Sequence, residues 1–135
     1  MQKGSLRMSS MKIKYSGSDV LKSKADALVL LLEKGTWQKD ESFKRLDQTL
    51  GGLALKALKR IDFKAEKNSY YILQTHERLS FNHVLFLGLG DKPYDAAAIW
   101  DLAAFMVRKA RSRAISSLAV ACDFSFADMP AERAL

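Results

Sequence analysis

The chain is poor in the side chains that build disulfides and metal sites. Its 135 residues contain one cysteine, Cys122, and two histidines, His76 and His83. A single cysteine excludes an internal disulfide and any metal site made of several thiolates, and it fits a reducing compartment. We expect Cys122 to be a small buried side chain at a strand end, and both histidines to lie at the surface or at a strand end. The residues alone therefore predict no catalytic, cofactor-binding or metal site in this chain.

Long apolar runs are missing as well. No run is longer than Ala27–Leu32, which is far shorter than the ~20 residues that a membrane helix needs. The first ten residues, MQKGSLRMSS, lack the apolar segment of a signal peptide. We therefore expect no membrane contact and a cytoplasmic location. A content of 48% hydrophobic and 27% charged residues, with only two prolines, is typical of one ordinary folded domain of this length.

Positive charge exceeds negative charge, and the formal net charge is +7. A basic surface favours anionic partners such as nucleic acid. The cations are spread along the chain, however, and the one local cluster is Arg108, Lys109, Arg111 and Arg113 at the end of a predicted helix. The helix dipole favours cations at that place. A solvated helix end is thus the preferred interpretation, and a basic DNA-binding module stays as an alternative.

Five segments have the composition of strands. Lys12–Tyr15 alternates polar and apolar residues, which predicts a half-buried edge strand. Ala25–Leu32 is apolar enough to be buried on both faces, which is typical of a central strand in a sheet covered by helices. Ser69–Thr75 and His83–Leu87 predict a pair or two neighbours in one sheet, and Ser117–Ala121 predicts a short buried strand.

Three helical patterns lie between these strands. Asp40 is a suitable cap for the first helix, which Gly51 and Gly52 end, and Asp95 is a suitable cap for the third. Each helix has an apolar side that we expect to face the sheet. The residues on those sides are Phe43, Leu46 and Leu50 in the first helix, Leu53, Ala57, Leu58 and Ile61 in the second, and Ile99, Leu102, Ala103, Met106, Val107 and Ala110 in the third.

The order of these elements predicts a mixed or mostly parallel sheet with helices on both faces, a three-layer α/β/α domain. Two aromatic residues, Trp37 in a predicted loop and Phe105 outside the apolar stripe of its helix, suit the core or a contact with a partner equally well. Near the end, Asp128 can cap a helix and Pro130 suits a first turn. We therefore expect a helix that begins there and continues in a longer polypeptide.

The stretch VLFLGLGDKPYD, Val84–Asp95, resembles a strand that stops on two glycines before a helix. A dinucleotide fingerprint would need G-x-G-x-x-G, and here the third glycine position is Pro93. The pattern therefore predicts that Gly88 and Gly90 let the backbone turn tightly at a strand end, without holding a phosphate.

Four short motifs, taken in order, resemble the N-terminal domain of the leucine (cytosol) aminopeptidase family. They are K-A-D-A-L-V at Lys24–Val29, L-D-x-x-L-G-G at Leu46–Gly52, D-F-K at Asp62–Lys64 and L-G-L-G at Leu87–Gly90. The resemblance extends from Met11 to about Asp123, which is nearly the whole chain. The order and spacing of the motifs are more specific than any one of them.

This resemblance implies a macrodomain-like α/β/α fold over residues 11–125, after a flexible leader at 1–10. Residues 126–135 would begin a helix or linker toward a C-terminal catalytic domain. In the family, that domain holds two divalent metal ions, zinc or manganese, and the complete hexameric enzyme releases N-terminal amino acids from peptides. Its N-T-D-A-E-G-R signature is missing here, so no catalytic or metal residue of the family is assigned to this sequence. We expect this chain alone not to cleave peptides.

The macrodomain resemblance implies a second possible function, the binding of ADP-ribose. In macrodomains that bind this nucleotide, the strand resembling A-D-A-L-V continues into N-A-A-N, whose polar side chains help to hold the ligand. Here Leu30, Leu31 and Leu32 follow instead. Leucine removes hydrogen-bonding groups that a polar ligand needs, at a cost of at least ~1 kcal/mol for each unmatched polar atom. Nucleotide binding is therefore the less favoured alternative.

Overall fold

The computed structural model describes residues 4–8, 11–16, 25–76, 79–91 and 96–121. Within these residues it forms one mixed sheet with helices on both faces, and none of the helices is long and apolar enough to cross a bilayer. The strands are β1 Gly4–Met8, β2 Met11–Ser16, β3 Ala27–Leu32, β4 Tyr70–Gln74, β5 His83–Gly88 and β6 Ser117–Ala121. The helices are α1 Glu41–Thr49, α2 Leu53–Arg60 and α3 Ala96–Arg111, and a 3-10 turn at Trp37–Lys39 precedes α1.

The six strands lie in the order β1-β2-β6-β3-β5-β4. The four inner strands are parallel, and β1 and β4 are antiparallel at the two edges. Strand β3 is central, with Val29 opposite Leu85 of β5 on one side and Val120 of β6 on the other. All six of its residues are buried, because helices cover both faces. The predicted mixed sheet and its central strand are confirmed.

The prediction that Lys12–Tyr15 forms an edge strand is wrong. Strand β1 pairs with the outer side of β2, with Leu6 opposite Ile13. Alternating polarity indicates how deeply a strand is buried, but it does not indicate how many neighbours the strand has. The additional strand falls within residues 1–10, for which the sequence predicted a flexible leader. The predicted domain boundaries at residues 11 and 125 stay predictions, and residues 126–135 and Cys122 lie outside the described residues.

The described residues form two hydrophobic clusters, one on each face of the sheet. On the first face α3 packs through the predicted stripe, whose members Leu102, Ala103, Met106, Val107 and Ala110 are buried. The side chain of Ile99 and the predicted cap Asp95 lie outside the described residues. On the second face α1 packs through the predicted Phe43, Leu46 and Leu50, together with α2. The three-layer architecture is therefore confirmed.

Trp37 belongs to the second cluster and is 6% exposed. Its ring meets Phe43 and Phe63 edge to face, with centroid distances of 5.2 and 5.6 Å. Such pairs add to the hydrophobic stabilisation that ring burial provides. Of the two interpretations that the sequence left open for Trp37, the core is correct.

The expected inward face of α2 is partly wrong. Ala54 and Leu58 are fully buried, whereas Leu53 and Ile61 are 42% and 46% exposed. Ala54 and Leu58 are four residues apart, so they share the side of the helix that meets the sheet. Leu53 lies about 100° away from Ala54 around the helix axis. Ile61 follows the last helical residue as the C-cap.

The L-D-x-x-L-G-G motif has a physical explanation at the junction of α1 and α2. Leu46 and Leu50 are core residues, and Gly51 and Gly52 have φ values of +66° and +88°, in the region that favours glycine. Gly52 is the N-cap of α2 but has no side chain to accept a hydrogen bond. The Oδ1 atom of Asp47 accepts one instead from the backbone N–H of Leu55, at 2.9 Å. Asp47 therefore caps the second helix from the first.

Candidate functional site

The carboxyl ends of the parallel strands are the place where an α/β sheet usually binds ligands. In this chain β3, β5 and β6 end at the same edge of the sheet, at Leu32, Gly88 and Ala121. The two glycines that the sequence singled out lie at the end of the β5 strand and just beyond it. This carboxyl edge is therefore the candidate site.

Residues 65–69, which we call the covering loop, bind directly to these glycines. The backbone N–H of Gly88 donates to the carbonyl oxygen of Ser69, and that of Gly90 donates to the carbonyl oxygen of Ala65, each at 2.9 Å. A phosphate cradle uses such backbone N–H groups as its donors. Here both N–H groups are already bound to carbonyl oxygens of the chain itself.

The residue between the glycines is bound in the same way. The N–H of Leu89 donates to the carbonyl oxygen of Leu32, at the end of β3, at 2.9 Å. Leu30, Leu31 and Leu32 are all buried, with exposed fractions of 1%, 6% and 0%. The three leucines therefore pack in the core and place no polar side chain at this edge.

Gly88 is required because the covering loop lies against it. A Cβ atom added at Gly88 would collide with the carbonyl oxygen of Glu66 and the Oγ atom of Ser69. The predicted tight turn applies to Gly90, whose φ is +74°, and a Cβ there would lie 3.0 Å from the Cβ of Lys67. The expectation was therefore correct for Gly90 and wrong for Gly88, where close approach of the loop is the constraint.

The covering loop holds an unusual backbone conformation. Ala65 and Asn68 have φ values of +58° and +65°. This left-handed conformation costs alanine roughly 1–2 kcal/mol, and asparagine adopts it more readily. Ala65 is fully buried, and its carbonyl oxygen accepts the Gly90 bond. At the other end of the loop, both the N–H and the hydroxyl of Ser69 donate to the carbonyl oxygen of Glu66, at 3.0 and 2.6 Å. These bonds and the burial offset the strain and fix the loop over the strand end.

Charged groups at the carboxyl edge are exposed. The Nζ atom of Lys34 lies 3.6 Å from the Oδ2 atom of Asp91, and their side chains are 42% and 81% exposed. Such a pair contributes little to stability. Among the residues that the structure describes, no group of three or more His, Cys, Asp and Glu side chains comes close enough to hold a metal ion.

The two histidines lie away from this edge. His83 begins β5 at the amino end of the parallel strands, and His76 lies in the connection between β4 and β5. His76 is exposed, and the His83 ring is half-buried, with an Nδ1 atom that has no hydrogen-bond partner among the described residues. The expectation of surface or strand-end histidines is confirmed.

Among the carboxyl groups that the structure describes, that of Asp26 has a clearly shifted pKa. Hydrogen bonds from the Ser116 hydroxyl and the Ser116 backbone lower the pKa of Asp26, and partial burial opposes this shift. The backbone of Ser117 and the nearby His83 lower it further. Asp26 precedes β3, so this carboxylate lies at the amino end of the strands and serves the structure of the sheet.

The basic cluster at the end of α3 has an internal aromatic partner that the sequence did not reveal. The Nζ atom of Lys109 lies 4.7 Å from the ring centroid of Tyr70 and 5.2 Å from that of Phe105. The two rings pack edge to face at 5.6 Å, and the Arg108 guanidinium lies 6.0 Å from the Phe105 centroid. Cation–π attraction thus fixes the last turn of α3 on the edge strand β4. Arg113 follows the helix and is exposed.

The layer order and sheet define a macrodomain-like α/β/α protein, and solved structures agree. A macrodomain variant from Oceanobacillus iheyensis superposes with a TM-score of 0.64 and 10% identity, covering 96% of this chain and 74% of that one. The macrodomain of Mycobacterium tuberculosis DarG superposes with a TM-score of 0.54 and 23% identity. The match covers 80% of this chain and 74% of that one. At these identities the similarity concerns the fold alone.

A variant of tomato leucine aminopeptidase superposes with a TM-score of 0.68 and 20% identity, covering 98% of this chain and 26% of that one. The family model for the N-terminal domain of the cytosol aminopeptidase family matches residues 28–134. The chain therefore belongs to the cytosol aminopeptidase family and corresponds to its N-terminal domain, as the sequence motifs predicted. A probable cytosol aminopeptidase of Sulfurihydrogenibium is 24% identical over 98 residues, which are 72% of this chain. The match covers only 19% of that relative's length.

Proposed function

We propose that this chain is the non-catalytic N-terminal domain of a metal-dependent aminopeptidase, and that it supports assembly or limits access to an active site formed by the rest of the polypeptide. The observation behind this proposal is the covering loop. Its carbonyl oxygens already bind the N–H groups of Gly88 and Gly90, at the sheet edge where this architecture would place a ligand.

The chemistry of the complete protein then follows from its family. The parent enzyme would release N-terminal amino acids from peptides in the cytoplasm, as a hexamer. Two-metal hydrolysis needs several carboxylates around ions ~3.5–4 Å apart and a general base. We assign the two divalent ions, zinc or manganese, to the C-terminal catalytic domain, and none to this chain. The partners of the chain would be that domain and the other subunits.

Binding of ADP-ribose is not favoured by any specific contact. A diphosphate that used the N–H groups of Gly88 and Gly90 would have to displace the covering loop from them and expose the buried side of Ala65 to solvent. The loss of these hydrogen bonds would be subtracted from the binding free energy of the ligand. The apolar residues Leu30 to Leu32 offer no side-chain hydrogen bond in return.

A hydrolysis assay tests the proposal. The purified chain and the polypeptide encoded by the complete reading frame are each incubated with a leucine chromogenic substrate and manganese or zinc. We expect the longer polypeptide to hydrolyse the substrate. The rate with this chain should not exceed the background rate of a preparation from cells with an empty vector. Chelator-sensitive hydrolysis that copurifies with this chain alone would contradict the proposal, and so would a complete reading frame without hydrolytic activity.

A further inference from the structure

Helix α2 exposes an apolar stripe that no described residue covers. Leu53 and Ile61 are 42% and 46% exposed, and Ala57 between them is half-buried. Because these residues are spaced by four, they follow one another along one side of the helix. Only one other large hydrophobic residue in the described part of the chain, Tyr70, is this exposed. We call Leu53, Ala57 and Ile61 the α2 stripe.

The solvent side of the stripe is basic. Lys56 and Arg60 are three and seven residues beyond Leu53, so they adjoin the stripe on the side opposite to the buried Leu58. Both are exposed, as is Lys59, and the α2 sequence LALKALKR contains no acidic residue. A partner for this surface would be apolar at its centre and acidic beside it.

A second copy of this chain fits the stripe poorly. A two-fold contact would place the same surface of both copies together. Lys56 and Arg60 of both copies would then lie in one interface, between chains that each have a formal net charge of +7. Like charges across an interface disfavour the contact.

The rest of the same polypeptide is a better candidate for the partner of the α2 stripe. The covering loop follows α2 and reaches the carboxyl edge of the sheet, so Ile61 lies at the end of α2 that is nearer to this edge. Strand β6 ends at Ala121 on the same edge, because it is parallel to β3. The chain matches only 19% of its curated relative's length, so most of such a protein lies outside this domain. A covalently attached domain also has a high effective concentration.

We infer that the α2 stripe is the docking surface for the catalytic portion of the same polypeptide, through an apolar patch with acidic residues beside it. This inference rests on the proposed function. Docking there would bury the stripe against the domain that holds the metals, and it would leave the covering loop in place.

Hydrogen exchange in the complete polypeptide tests the inference. The amides of residues 53–61 are measured by mass spectrometry in this chain alone and in the polypeptide of the complete reading frame. We expect exchange to be about tenfold slower in the complete polypeptide, since docking adds to the free energy of local opening. The double substitution Leu53→Ser with Ile61→Ser should remove this difference. Tyr70→Ser, at a similarly exposed apolar residue outside α2, should leave it unchanged.

Charge is tested separately with Lys56→Glu and Arg60→Glu, which should reduce the difference in exchange while the apolar stripe is intact. Equal exchange of wild-type residues 53–61 in the two polypeptides would overturn the inference. If exchange in this chain alone becomes slower as its concentration is raised, a second copy covers the α2 stripe and the inference is wrong. Leucine hydrolysis is measured on the same complete polypeptide. If hydrolysis is present and exchange is equal, only the docking fails, whereas absent hydrolysis counts against the proposed function.

Discussion

The carboxylate of Asp26 accepts two hydrogen bonds from Ser116, a residue ninety positions further along the chain. Its Oδ2 atom lies 2.9 Å from the backbone nitrogen of Ser116 and 2.7 Å from the Ser116 hydroxyl. The backbone N–H of Asp26 donates in turn to the hydroxyl of Ser117, at 2.9 Å. These three hydrogen bonds join the start of β3 to the start of its neighbour β6 in the parallel part of the sheet.

Replacing Asp26 by alanine should lower the free energy of unfolding by about 2 kcal/mol at pH 7, because hydrogen bonds to a charged acceptor are stronger than neutral ones. The pKa of Asp26 is lowered in the folded chain. Its contribution is therefore complete above the ordinary aspartate pKa of about 3.9 and is lost as the pH falls through the folded value. Urea unfolding of both proteins should show the difference at pH 7 and a smaller one as the pH falls below about 4.

Asp62→Asn is the matched control for Asp26. Asp62 forms an exposed pair with Lys64 at 3.6 Å, which should contribute less than about 1 kcal/mol. The account of the Asp26–Ser116 contact would be contradicted if Asp26→Ala lowered the unfolding free energy no more than Asp62→Asn does. It would also be contradicted if the difference between wild type and Asp26→Ala grew as the pH fell.

Gly88→Ala should destabilise the domain by about 3 kcal/mol, because the new Cβ atom collides with the covering loop. This value is at the upper end of the usual cost of overpacking a site. Amides of residues 65–69 should also exchange faster. Gly35→Ala is the control, because Gly35 has φ +85° but open space around its Cβ position, and it should cost about 1 kcal/mol. Equal losses at the two glycines, with unchanged exchange in the covering loop, would show that the loop does not press on Gly88.

Asp47→Ala should lower the unfolding free energy by about 1 kcal/mol, the usual value for the loss of a helix N-cap. The reason is that the N–H of Leu55 loses its acceptor at the start of α2. Asp47→Asn keeps an acceptor oxygen and should retain most of the stability. Chemical denaturation at neutral pH measures both. No loss for alanine, or an equal loss for alanine and asparagine, would contradict a cap that acts through the acceptor oxygen.

The sequence was sufficient for features that depend on local pattern. The buried run of β3, the cap at Asp40 and the stripe of α3 all follow from residues close together in the chain. The Oδ2 atom of Asp40 accepts from the N–H of Phe43 at 2.9 Å, as an N-cap should. The order of the strands and helices predicted the three-layer fold, and the resemblance to the aminopeptidase family implied the same architecture.

Features that depend on distant neighbours could not be predicted. Strand β1 has no local signal that it pairs with β2, and the cation–π contact of Lys109 requires Tyr70, from a different strand, to lie beside α3. Apolar residues occur on several sides of α2, so hydrophobic pattern alone did not reveal that Leu53 stays exposed. The role of Gly88 could not be predicted because it depends on the path of the covering loop.

The most direct test of the central claim is a titration of the isotope-labelled chain with ADP-ribose, observed through its backbone amide signals. The claim is that the chain's own carbonyl oxygens hold the N–H groups at the carboxyl edge of the sheet. We predict that the signals of Gly88, Leu89 and Gly90 do not shift up to millimolar ligand. Saturable shifts of these three signals with a micromolar dissociation constant would contradict the account.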